Sequence, residues 1–286
     1  MSASIRLLIV DGYPKASREE LVGCGAGTAG DLYVKMLDGL MDGLAARIVY
    51  PSDTGAGLPK GMSLADFDGV AWTGCNLNVY DASAAVKTHL DLARAVLDAG
   101  IPAFGSCFGA QLAVTATGGE VRVNPRGREM GIARKISLTD AGRAHPMFAG
   151  RNSAFEAFIS HNDEIVTLGP NALHLAGNIH TPIQAVCVTQ GKGTFWAVQY
   201  HPELDLHEMA RLISCRFRVM VRQGYFRNIE AGMEVVDLME TLHGDPTRKD
   251  IAWMLGIDGD VTNAAMRTNE VGNWLKKQVV PALNGR

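Results

Sequence analysis

Short, uniformly apolar runs alternate with longer amphipathic segments through the first 120 residues of the chain. Residues 31–44 and 83–99 carry apolar side chains at helical spacing, and Gly100 after the second segment is typical of a helix end. Strands that are apolar at every position are typical of parallel sheets covered on both faces. The pattern therefore predicts an α/β fold with a mostly parallel open sheet and helices on both faces. The predicted buried strands are residues 7–10, 46–50, 69–72 and 101–104.

The pattern changes after residue 120, where short strand candidates follow one another between turn residues. They either extend the sheet or form an antiparallel flap beside it. Residues 206–225 and 229–243 are then predicted to be helical, as is most of the tail at 248–286, which we interpret as a packing, lid or interface element. We therefore predict an α/β domain over residues 1–226 and a C-terminal helical extension over residues 227–286. The five strand candidates are residues 132–138, 155–159, 173–176, 183–188 and 195–200.

Charge and composition exclude some classes of partner. The 286 residues include 27 basic and 30 acidic side chains, with a formal net charge of −3. This balance gives no electrostatic basis for binding nucleic acid or an anionic membrane. No apolar run reaches the roughly 18 residues that a membrane-spanning helix needs, and the first residues lack the basic and apolar segments of a secretory leader.

The cysteines bear on the cellular compartment. Their irregular spacing matches neither a disulfide framework nor a CxxC zinc pattern. We therefore expect a soluble protein in the reducing cytoplasm, where a catalytic thiol stays usable. The five cysteines are Cys24, Cys75, Cys107, Cys187 and Cys215.

A cysteine between two glycines follows the fourth predicted strand. Residues 105–109 are Gly-Ser-Cys-Phe-Gly, and a helix-like segment follows at residues 110–117. In a strand-turn-helix nucleophile elbow, the turn forces strained backbone angles on the central residue, and flanking glycines relieve the crowding. The N-terminus of the helix also lowers the pKa of a thiol there. Cys107 is therefore a candidate nucleophile, although a buried packing cysteine also fits this pentapeptide taken alone.

A nucleophilic cysteine needs a base and a group that orients the base. His201 ends the predicted strand at 195–200, and Glu203 follows two positions later. In an extended chain, residues i and i+2 share a face, so the carboxylate of Glu203 can reach the imidazole of His201. Pro202 stiffens this connection. An isolated His-x-Glu is more often a solvated strand end, but its combination with the cysteine elbow favours a Cys-His-Glu triad.

Four motifs follow one another along the chain. Thr-Gly at 73–74 leads to Val-Tyr-Asp at 79–81, and the elbow continues to Gln111 as Gly-x-Cys-x-Gly-x-Gln. Residues 160–165 are Ser-His-Asn-Asp-Glu-Ile, and residues 199–203 are Gln-Tyr-His-Pro-Glu. These motifs resemble the class I glutamine amidotransferases, and within them the glutaminase domain of GMP synthase and its stand-alone relatives. The resemblance covers about residues 5–215 and implies a flavodoxin-like open sheet.

The resemblance also implies a mechanism. Cys107 would attack the side-chain amide of glutamine and form a thioester, His201 would transfer protons, and Glu203 would orient His201. The oxyanion hole would consist of the backbone N–H groups of Cys75 and Phe108, each worth on the order of 3 kcal/mol of barrier. This chemistry needs no metal and no organic cofactor. The implied substrate-binding residues are Gly74, Gln111, His161, Asn162 and Asp163.

Two segments depart from the pattern of the GMP synthase type. Residues 74–76 are Gly-Cys-Asn where relatives usually have Gly-Gly-Pro, and Asn162 replaces the glycine of Ser-His-Gly-Asp. An unfavourable φ at Cys75 would cost roughly 1–3 kcal/mol. The sequence therefore predicts an oxyanion hole that is differently shaped or formed only on substrate binding. Cys75 could also be a second thiol close to Cys107.

Two further segments carry patterns of their own. The glycine-rich residues 23–30 suggest a phosphate loop, but residues 11–22 separate them from the first strand and the Gly-Lys-Ser/Thr ending is missing. A flexible loop that leads into the helix at Asp31 fits better. The basic residues 122–134 suggest a site for an acidic partner, but a solvated hairpin face fits better.

These observations leave three functions open. The first is a glutaminase that supplies ammonia to a separate synthase subunit, since nothing after His201 resembles a synthase domain. The second is a self-sufficient hydrolase of substituted γ-glutamyl amides that releases an amine. The third is a non-catalytic binding protein, against which the intact Cys107, His201 and Glu203 argue. Self-association as a homo-oligomer is also open.

Overall fold

The computed structural model describes residues 4–55 and 57–284, so the ends of the two predicted domains, at residues 1–3 and 285–286, lie outside the description. The strands are β1 (Ile5–Val10), β2 (Leu44–Val49), β3 (Gly69–Trp72), β4 (Ala103–Ser106), β5 (Glu120–Val123), β6 (Glu129–Leu138), β7 (Ala154–His161), β8 (Asp163–Thr167), β9 (Ala172–Gly177), β10 (Ala185–Gln190) and β11 (Gly193–Val198). Nine of them form one mixed sheet in the order β2-β1-β3-β4-β11-β10-β9-β6-β7, and β5 and β8 form a two-stranded sheet.

The first half of the main sheet is parallel. Strands β2, β1, β3, β4 and β11 run in one direction. The side chains of β1 are buried on both faces: Leu7 and Ile9 enter one hydrophobic core, and Leu8 and Val10 enter the other. This burial explains the unbroken apolar runs. The predicted α/β fold with a mostly parallel sheet is confirmed. The helices of this half are α1 (Lys15–Gly23), α2 (Ala29–Leu40), α3 (Ala84–Asp98) and α4 (Phe108–Ala116).

The second half of the main sheet is antiparallel. Strand β10 pairs with β11 and β9, and β6 pairs with β9 and β7. Strand β5 pairs with β8 outside this sheet. The five predicted strands therefore extend the sheet, which is the first of the two alternatives, and the small antiparallel pair consists of β5 and β8, which the sequence did not predict. The predicted hairpin at residues 122–134 is wrong, because β5 and β6 pair with different partners and not with each other.

The C-terminal helices pack on the sheet and on α6. Val236 and Met239 share a hydrophobic cluster with Met209, while Trp274 packs against Phe104 of β4 with 6.0 Å between the ring centroids. The division at residue 227 remains a prediction. The helices after α4 are α5 (Asp140–Ala144), α6 (Leu206–Cys215), α7 (Phe217–Arg222), α8 (Ile229–Gly244), α9 (Lys249–Leu255), α10 (Gly259–Thr262), α11 (Ala264–Arg267), α12 (Asn269–Trp274) and α13 (Val280–Asn284).

Two helical segments differ from the prediction. Helix α1 was not predicted because only Leu21 is buried in it, so it carries no apolar stripe. The predicted helix at 206–225 is two helices, because the chain leaves helical geometry at Arg216, where φ is −118° and ψ is 10°. The glycine-rich residues 23–30 comprise the last residue of α1, a loop and the first two residues of α2. The predicted loop therefore occurs, but it is shorter than the glycine-rich segment.

One disulfide joins Cys24, directly after α1, to Cys215 at the end of α6, with 5.7 Å between the Cα atoms. The irregular cysteine spacing gave no sign of this bond, and the expectation of a wholly reduced protein needs this correction. Cys75, Cys107 and Cys187 are free thiols. No helix within the described residues is long and apolar enough to cross a membrane.

Candidate active site

Cys107 occupies the tight turn between β4 and α4. Its φ of 51° and ψ of −104° are strained for a residue with a side chain. Its N–H donates to the carbonyl of Val198 at 2.8 Å, which fixes the turn to the neighbouring strand. A Cβ on Gly105 would approach Gly109 within 2.9 Å, and a Cβ on Gly109 would approach Trp72 within 3.0 Å. The glycines are therefore required by close packing around the elbow.

His201 and Glu203 lie beside this elbow. Nδ1 of His201 is 2.7 Å from Oε1 of Glu203, and the backbone N–H of His201 donates to the carbonyl of Phe158 at 2.8 Å. Burial disfavours the charged imidazole, but the Glu203 carboxylate and the adjacent Cys107 thiol outweigh burial and raise the pKa of His201 to about 10. The ring is therefore held as an imidazolium next to the thiol at neutral pH.

Two hydroxyl groups form a chain of hydrogen bonds that ends at the carboxylate of Glu203. Tyr33 donates to Oγ of Ser106 at 2.7 Å, and Ser106 donates to Oε1 of Glu203 at 3.3 Å. Burial and the charge of Glu203 together raise the pKa of Tyr33 well above its usual value, so this phenol remains a donor. Sequence reasoning missed both residues. Ser106 directly precedes Cys107 and belongs to the pentapeptide that points to the nucleophile, whereas no sequence motif points to Tyr33.

Gly74 lies between the thiol and the imidazole. A Cβ at this position would be 2.7 Å from Cε1 of His201 and 3.1 Å from Cβ of Cys107. Its carbonyl accepts from Oγ1 of Thr73 at 2.8 Å. Gly74, which was predicted to bind substrate, therefore leaves room for the side chains of Cys107 and His201 because it has no Cβ.

Cys75 adopts an ordinary backbone conformation. Cys107 and Lys135 are the non-glycine residues with positive φ in the described part of the chain, so the expected strain at Cys75 is absent. Burial raises the pKa of the Cys75 thiol well above its usual value, which opposes a role as a second thiolate. Within residues 4–55 and 57–284, we find no hydrogen bond from the backbone N–H of Cys75 or of Phe108.

A cavity of about 200 Å³ opens above Cys107, and we call it the active-site cavity. It brings together most of the predicted site residues. Gly74 lines a smaller apolar cavity on the other side of His201, and Glu203 lines that smaller cavity as well. The predicted residues that line the active-site cavity are Cys75, Cys107, Gln111, His161, Asn162, Asp163 and His201.

Gln111 and Asp163 form the end of the cavity at α4. Nε2 of Gln111 donates to Oε1 of Gln199 at 3.3 Å and lies 3.5 Å from the carbonyl of Asp163. The Asp163 carboxylate accepts from the Tyr80 hydroxyl at 3.1 Å, and burial raises its pKa. Asn162 is exposed at the edge of the cavity.

His161 is held on both sides of its ring. Nδ1 is 2.7 Å from the carbonyl of Asp163, and Nε2 is 3.2 Å from the carboxylate of Glu129. Glu129 in turn accepts from Asn178 at 2.7 Å and from Gln184 at 2.9 Å. Both ring nitrogens thus contact protein groups, which fits a residue that positions Asp163 at the start of β8.

Two arginines line the active-site cavity that sequence reasoning did not assign to it. Arg128 belongs to the basic segment that was expected to be a solvated hairpin face, and Arg216 follows Cys215 of the disulfide. Nη1 of Arg216 donates to Oγ of Ser160 at 2.6 Å, and the carbonyl of Ser160 lies 3.6 Å from Sγ of Cys107. No motif marks either arginine, because only the folded chain brings them to the site.

The fold and this constellation agree with the comparison to protein families. The model of the family described as glutamine amidotransferase class-I matches residues 48–219, which include Cys107, His201 and Glu203. The chain belongs to the class-I glutamine amidotransferase family.

Two individual proteins are similar to this chain in sequence. A γ-glutamyl-L-1-hydroxyisopropylamide hydrolase from Pseudomonas sp. is 32% identical over 287 residues, which cover 97% of this chain and 94% of that protein. A glutamine-hydrolysing GMP synthase from Thermomicrobium roseum is 32% identical over 136 residues, 48% of this chain but only 23% of the synthase. Family membership and these relatives support the predicted hydrolysis of the amide of glutamine or of a γ-glutamyl compound.

Solved structures show the same fold over nearly the whole chain. A glutamine amidotransferase from Thermotoga maritima has a TM-score of 0.66 at 15% identity and covers 96% of this chain and 98% of its own. A glutamine amidotransferase from Methylobacillus flagellatus has a TM-score of 0.60 at 19% identity and covers 98% of this chain and 95% of its own. Both matches extend through the C-terminal helices.

Proposed function

We propose that this protein is a cysteine amidohydrolase that cleaves the γ-amide bond of γ-glutamyl compounds to release glutamate. Cys107 is the nucleophile, His201 the proton-transfer group and Glu203 the residue that orients His201. The observation that carries the proposal is the arrangement of a strained elbow cysteine beside a histidine that is 2.7 Å from a buried carboxylate. Cys107 and His201 line a cavity of about 200 Å³, which is large enough for an amino acid side chain, and Glu203 contacts His201 from outside that cavity.

The first half of the proposed reaction forms a thioester. The Cys107 thiolate attacks the γ-amide carbon, and the N–H groups of Cys75 and Phe108 stabilise the oxyanion. His201 begins as an imidazolium and donates its proton to the amide nitrogen as the C–N bond breaks. The products of this half are a γ-glutamyl thioester on Cys107, a free amine and a neutral His201.

The second half hydrolyses the thioester. Neutral His201 takes a proton from a water molecule, which attacks the thioester carbon. The same oxyanion hole stabilises the second tetrahedral intermediate, and the C–S bond then breaks. Glutamate leaves, and the thiolate and imidazolium are restored. Glu203 keeps the imidazole in one orientation through both halves.

We propose a substituted amine, and not ammonia, as the leaving group. Tyr13 and Leu21 also line the active-site cavity, and the space beside them gives room for a substituent on the amide nitrogen. The γ-glutamyl-hydroxyisopropylamide hydrolase also matches this chain over nearly its full length, whereas the GMP synthase match covers less than half of the chain. Ammonia transfer to a separate synthase is the alternative.

Glutamate release by the purified protein tests these proposals. The substrates are L-glutamine and a panel of γ-glutamyl alkyl and aryl amides, and we expect a higher kcat/KM for a substituted amide than for glutamine. Cys107→Ala should abolish turnover, whereas Cys187→Ala should retain it, because Cys187 is a buried thiol outside the cavity. Slow glutamine hydrolysis without any gain on the amides would instead indicate an ammonia donor. Turnover by Cys107→Ala would contradict the mechanism.

A cytoplasmic location stays part of the proposal, on the ground that the mechanism needs Cys107 as a free thiol. The Cys24–Cys215 disulfide is the feature that opposes it. Alkylation of thiols in intact cells followed by peptide mass spectrometry should find Cys24 and Cys215 reduced. Recovery of the pair in oxidised form would contradict this location.

A further inference from the structure

The proton that His201 delivers fixes where the leaving amine lies. Nδ1 of His201 is 2.7 Å from Oε1 of Glu203, and the Cys107 thiol interacts with the ring as well, so the remaining nitrogen, Nε2, faces the thiol. In the proposed reaction this nitrogen protonates the amide nitrogen as the C–N bond breaks. A substituent on the amide nitrogen therefore lies beside His201.

Tyr13 and Leu21 are the neighbours of His201 in this part of the cavity. Both line the active-site cavity and also the smaller apolar cavity on the other side of His201, and His201 lines the two cavities as well. The three side chains therefore lie side by side between the cavities. Leu21 is the residue of α1 that is buried. A substituent on the amide nitrogen thus first meets an aromatic ring and an aliphatic side chain.

Helix α1 continues this wall with polar groups. Ser17, Glu20 and Leu21 are spaced as i, i+3 and i+4, which places them on one face of the helix, and all three line the active-site cavity. Ser17 and Glu20 do not line the smaller cavity, so they lie farther from His201 than Leu21 does. One helical turn spans about 5.4 Å, which is about the length of a three-carbon chain between an amide nitrogen and a terminal heteroatom.

The charges on this wall favour a hydrogen-bond donor over an anion. The Glu20 carboxylate is exposed at the rim of the cavity, where it accepts O–H or N–H donors and repels another carboxylate. Arg216 lines the same cavity, but it donates to Oγ of Ser160 at 2.6 Å and interacts with the Tyr13 hydroxyl. Burial raises the pKa of Tyr13, so its phenol stays neutral.

We propose that Tyr13, Leu21 and Glu20 bind the leaving amine and select a short alkyl chain whose far end carries a hydrogen-bond donor. Tyr13 and Leu21 contact the alkyl carbons, and Glu20 accepts from the terminal hydroxyl or ammonium group. This inference rests on the proposed function and assigns the specificity for the leaving group to α1, a helix that the hydrophobic pattern did not predict.

Four γ-glutamyl amides of matched chain length test the assignment. They are the amides of butylamine, 3-aminopropan-1-ol, 1,3-diaminopropane and β-alanine, whose far ends are a methyl, a hydroxyl, an ammonium and a carboxylate, and L-glutamine is the substrate without a substituent. We expect kcat/KM to be about tenfold higher for the hydroxyl and ammonium ends than for the methyl end, as one hydrogen bond to a charged group provides. The carboxylate end should be the poorest.

Glu20→Gln tests the residue that accepts the donor. The ratio of kcat/KM between the hydroxyl-ended and methyl-ended amides should fall below about twofold in this variant. Glu19→Gln is the matched control and should keep the ratio, because Glu19 is an exposed neighbour on α1 that pairs with Lys15 and does not line the cavity. A larger loss for the ammonium end than for the hydroxyl end would identify a charged amine as the preferred donor, and equal losses would identify a hydroxyl.

Transfer of the γ-glutamyl group supplies a second readout. An amine bound beside α1 can attack the γ-glutamyl thioester in place of water: the C–N bond forms, the C–S bond breaks, and neutral His201 takes the proton from the nitrogen. With L-glutamine as the donor, added 3-aminopropan-1-ol should form its γ-glutamyl amide several-fold more efficiently than added butylamine, at equal concentrations of unprotonated amine. Glu20→Gln should remove this difference, which a merely structural role of Glu20 would leave in place.

Three results would overturn the assignment. A highest kcat/KM for the carboxylate-ended amide would mean that Arg216, and not Glu20, binds the far end. A preference for the hydroxyl end that survives Glu20→Gln would exclude Glu20 as the acceptor. Equal kcat/KM for all four amides alongside hydrolysis of glutamine would refute this inference and leave the proposed function standing, whereas hydrolysis of none of the substrates would refute both.

Discussion

At the scale of single residues, the charge of Glu203 controls the protonation of His201. Glu203 and Cys107 together raise the pKa of His201 to about 10 against the opposing effect of burial. A raised histidine pKa means that the imidazolium persists through neutral pH and is lost as the pH rises through that value. The proposed mechanism begins from the imidazolium, so activity should fall on the alkaline side.

Glu203→Gln should therefore move the alkaline limb of the pH profile to lower pH. The substitution keeps the shape of the side chain but removes the negative charge that favours the imidazolium. The measurement is kcat/KM for one γ-glutamyl amide between about pH 5 and 11. An alkaline limb that stays in place in the variant would show that Glu203 does not set the protonation of His201.

Gly74 tests how closely the reacting groups must approach. In Gly74→Ala, the new Cβ would lie 2.7 Å from the imidazole of His201, so the ring must shift from its position beside Cys107. A displacement of this kind costs on the order of a hundredfold in kcat. Gly39→Ala is the matched control, because a Cβ there meets nothing within 4 Å, and it should keep full activity. Full activity of Gly74→Ala would contradict the site geometry.

Sequence reasoning at this scale found the residues that belong to local motifs. Cys107 lies in the elbow, and His201 and Glu203 are two positions apart on one strand end. Arg128 and Arg216 were missed, because each is an ordinary surface residue in sequence and only tertiary packing brings the two together. The expected strain at Cys75 was wrong, since cysteine adopts the required backbone conformation without a positive φ.

At the scale of elements, the disulfide connects the end of α1 to the α6–α7 junction. Cys215 immediately precedes Arg216, so we expect the bond between Cys24 and Cys215, where it is formed, to limit the movement of that arginine. Removal of a native disulfide typically costs about 2–4 kcal/mol in the free energy of unfolding. The bond therefore couples the stability of two helices to the shape of the active-site cavity.

Cys24→Ser should lower the free energy of unfolding by about 2–4 kcal/mol and raise KM for γ-glutamyl amides several-fold. Urea unfolding and steady-state kinetics, each with and without a reductant, provide the measurement. The reductant should abolish the difference between the variant and the unmodified protein. A difference that persists in the reductant would show that the effect comes from the serine and not from the missing bond.

Elements with strong apolar patterns were predictable from sequence. The run at residues 7–10 became β1, because parallel strands buried on both faces need apolar side chains throughout. Helix α1 and strand β8 were not predictable in this way. Helix α1 buries a single residue, and β8 begins with Asp163 and Glu164, two charged residues that are buried through polar contacts.

At the scale of the whole molecule, a buried ion pair fastens the C-terminal helices to the α/β core. Nε of Arg151 is 3.2 Å from Oε1 of Glu270 in α12, and both side chains are almost fully buried. Arg151 also stacks on Phe155 of β7, 4.1 Å from the ring centroid. The C-terminal helices thus depend on a charge pair in the interior as well as on apolar packing.

Glu270→Gln should lower the free energy of unfolding by about 3–5 kcal/mol, because it removes the carboxylate that pairs with the buried guanidinium of Arg151. Asp250→Asn is the control, since it removes one partner of an exposed ion pair with Arg248 and should have no measurable effect. Both are measured by urea unfolding. Equal stability of the two variants would show that the buried pair does not hold the C-terminal helices.

The central claim is that catalysis proceeds through a γ-glutamyl thioester on Cys107. The most direct test is to quench turnover of a γ-glutamyl amide with acid and to analyse the peptides by mass spectrometry. The account predicts one γ-glutamyl group on the peptide that contains Cys107, and none in Cys107→Ala. Glutamate formation with no adduct on Cys107, or with an adduct on Cys75 instead, would contradict it.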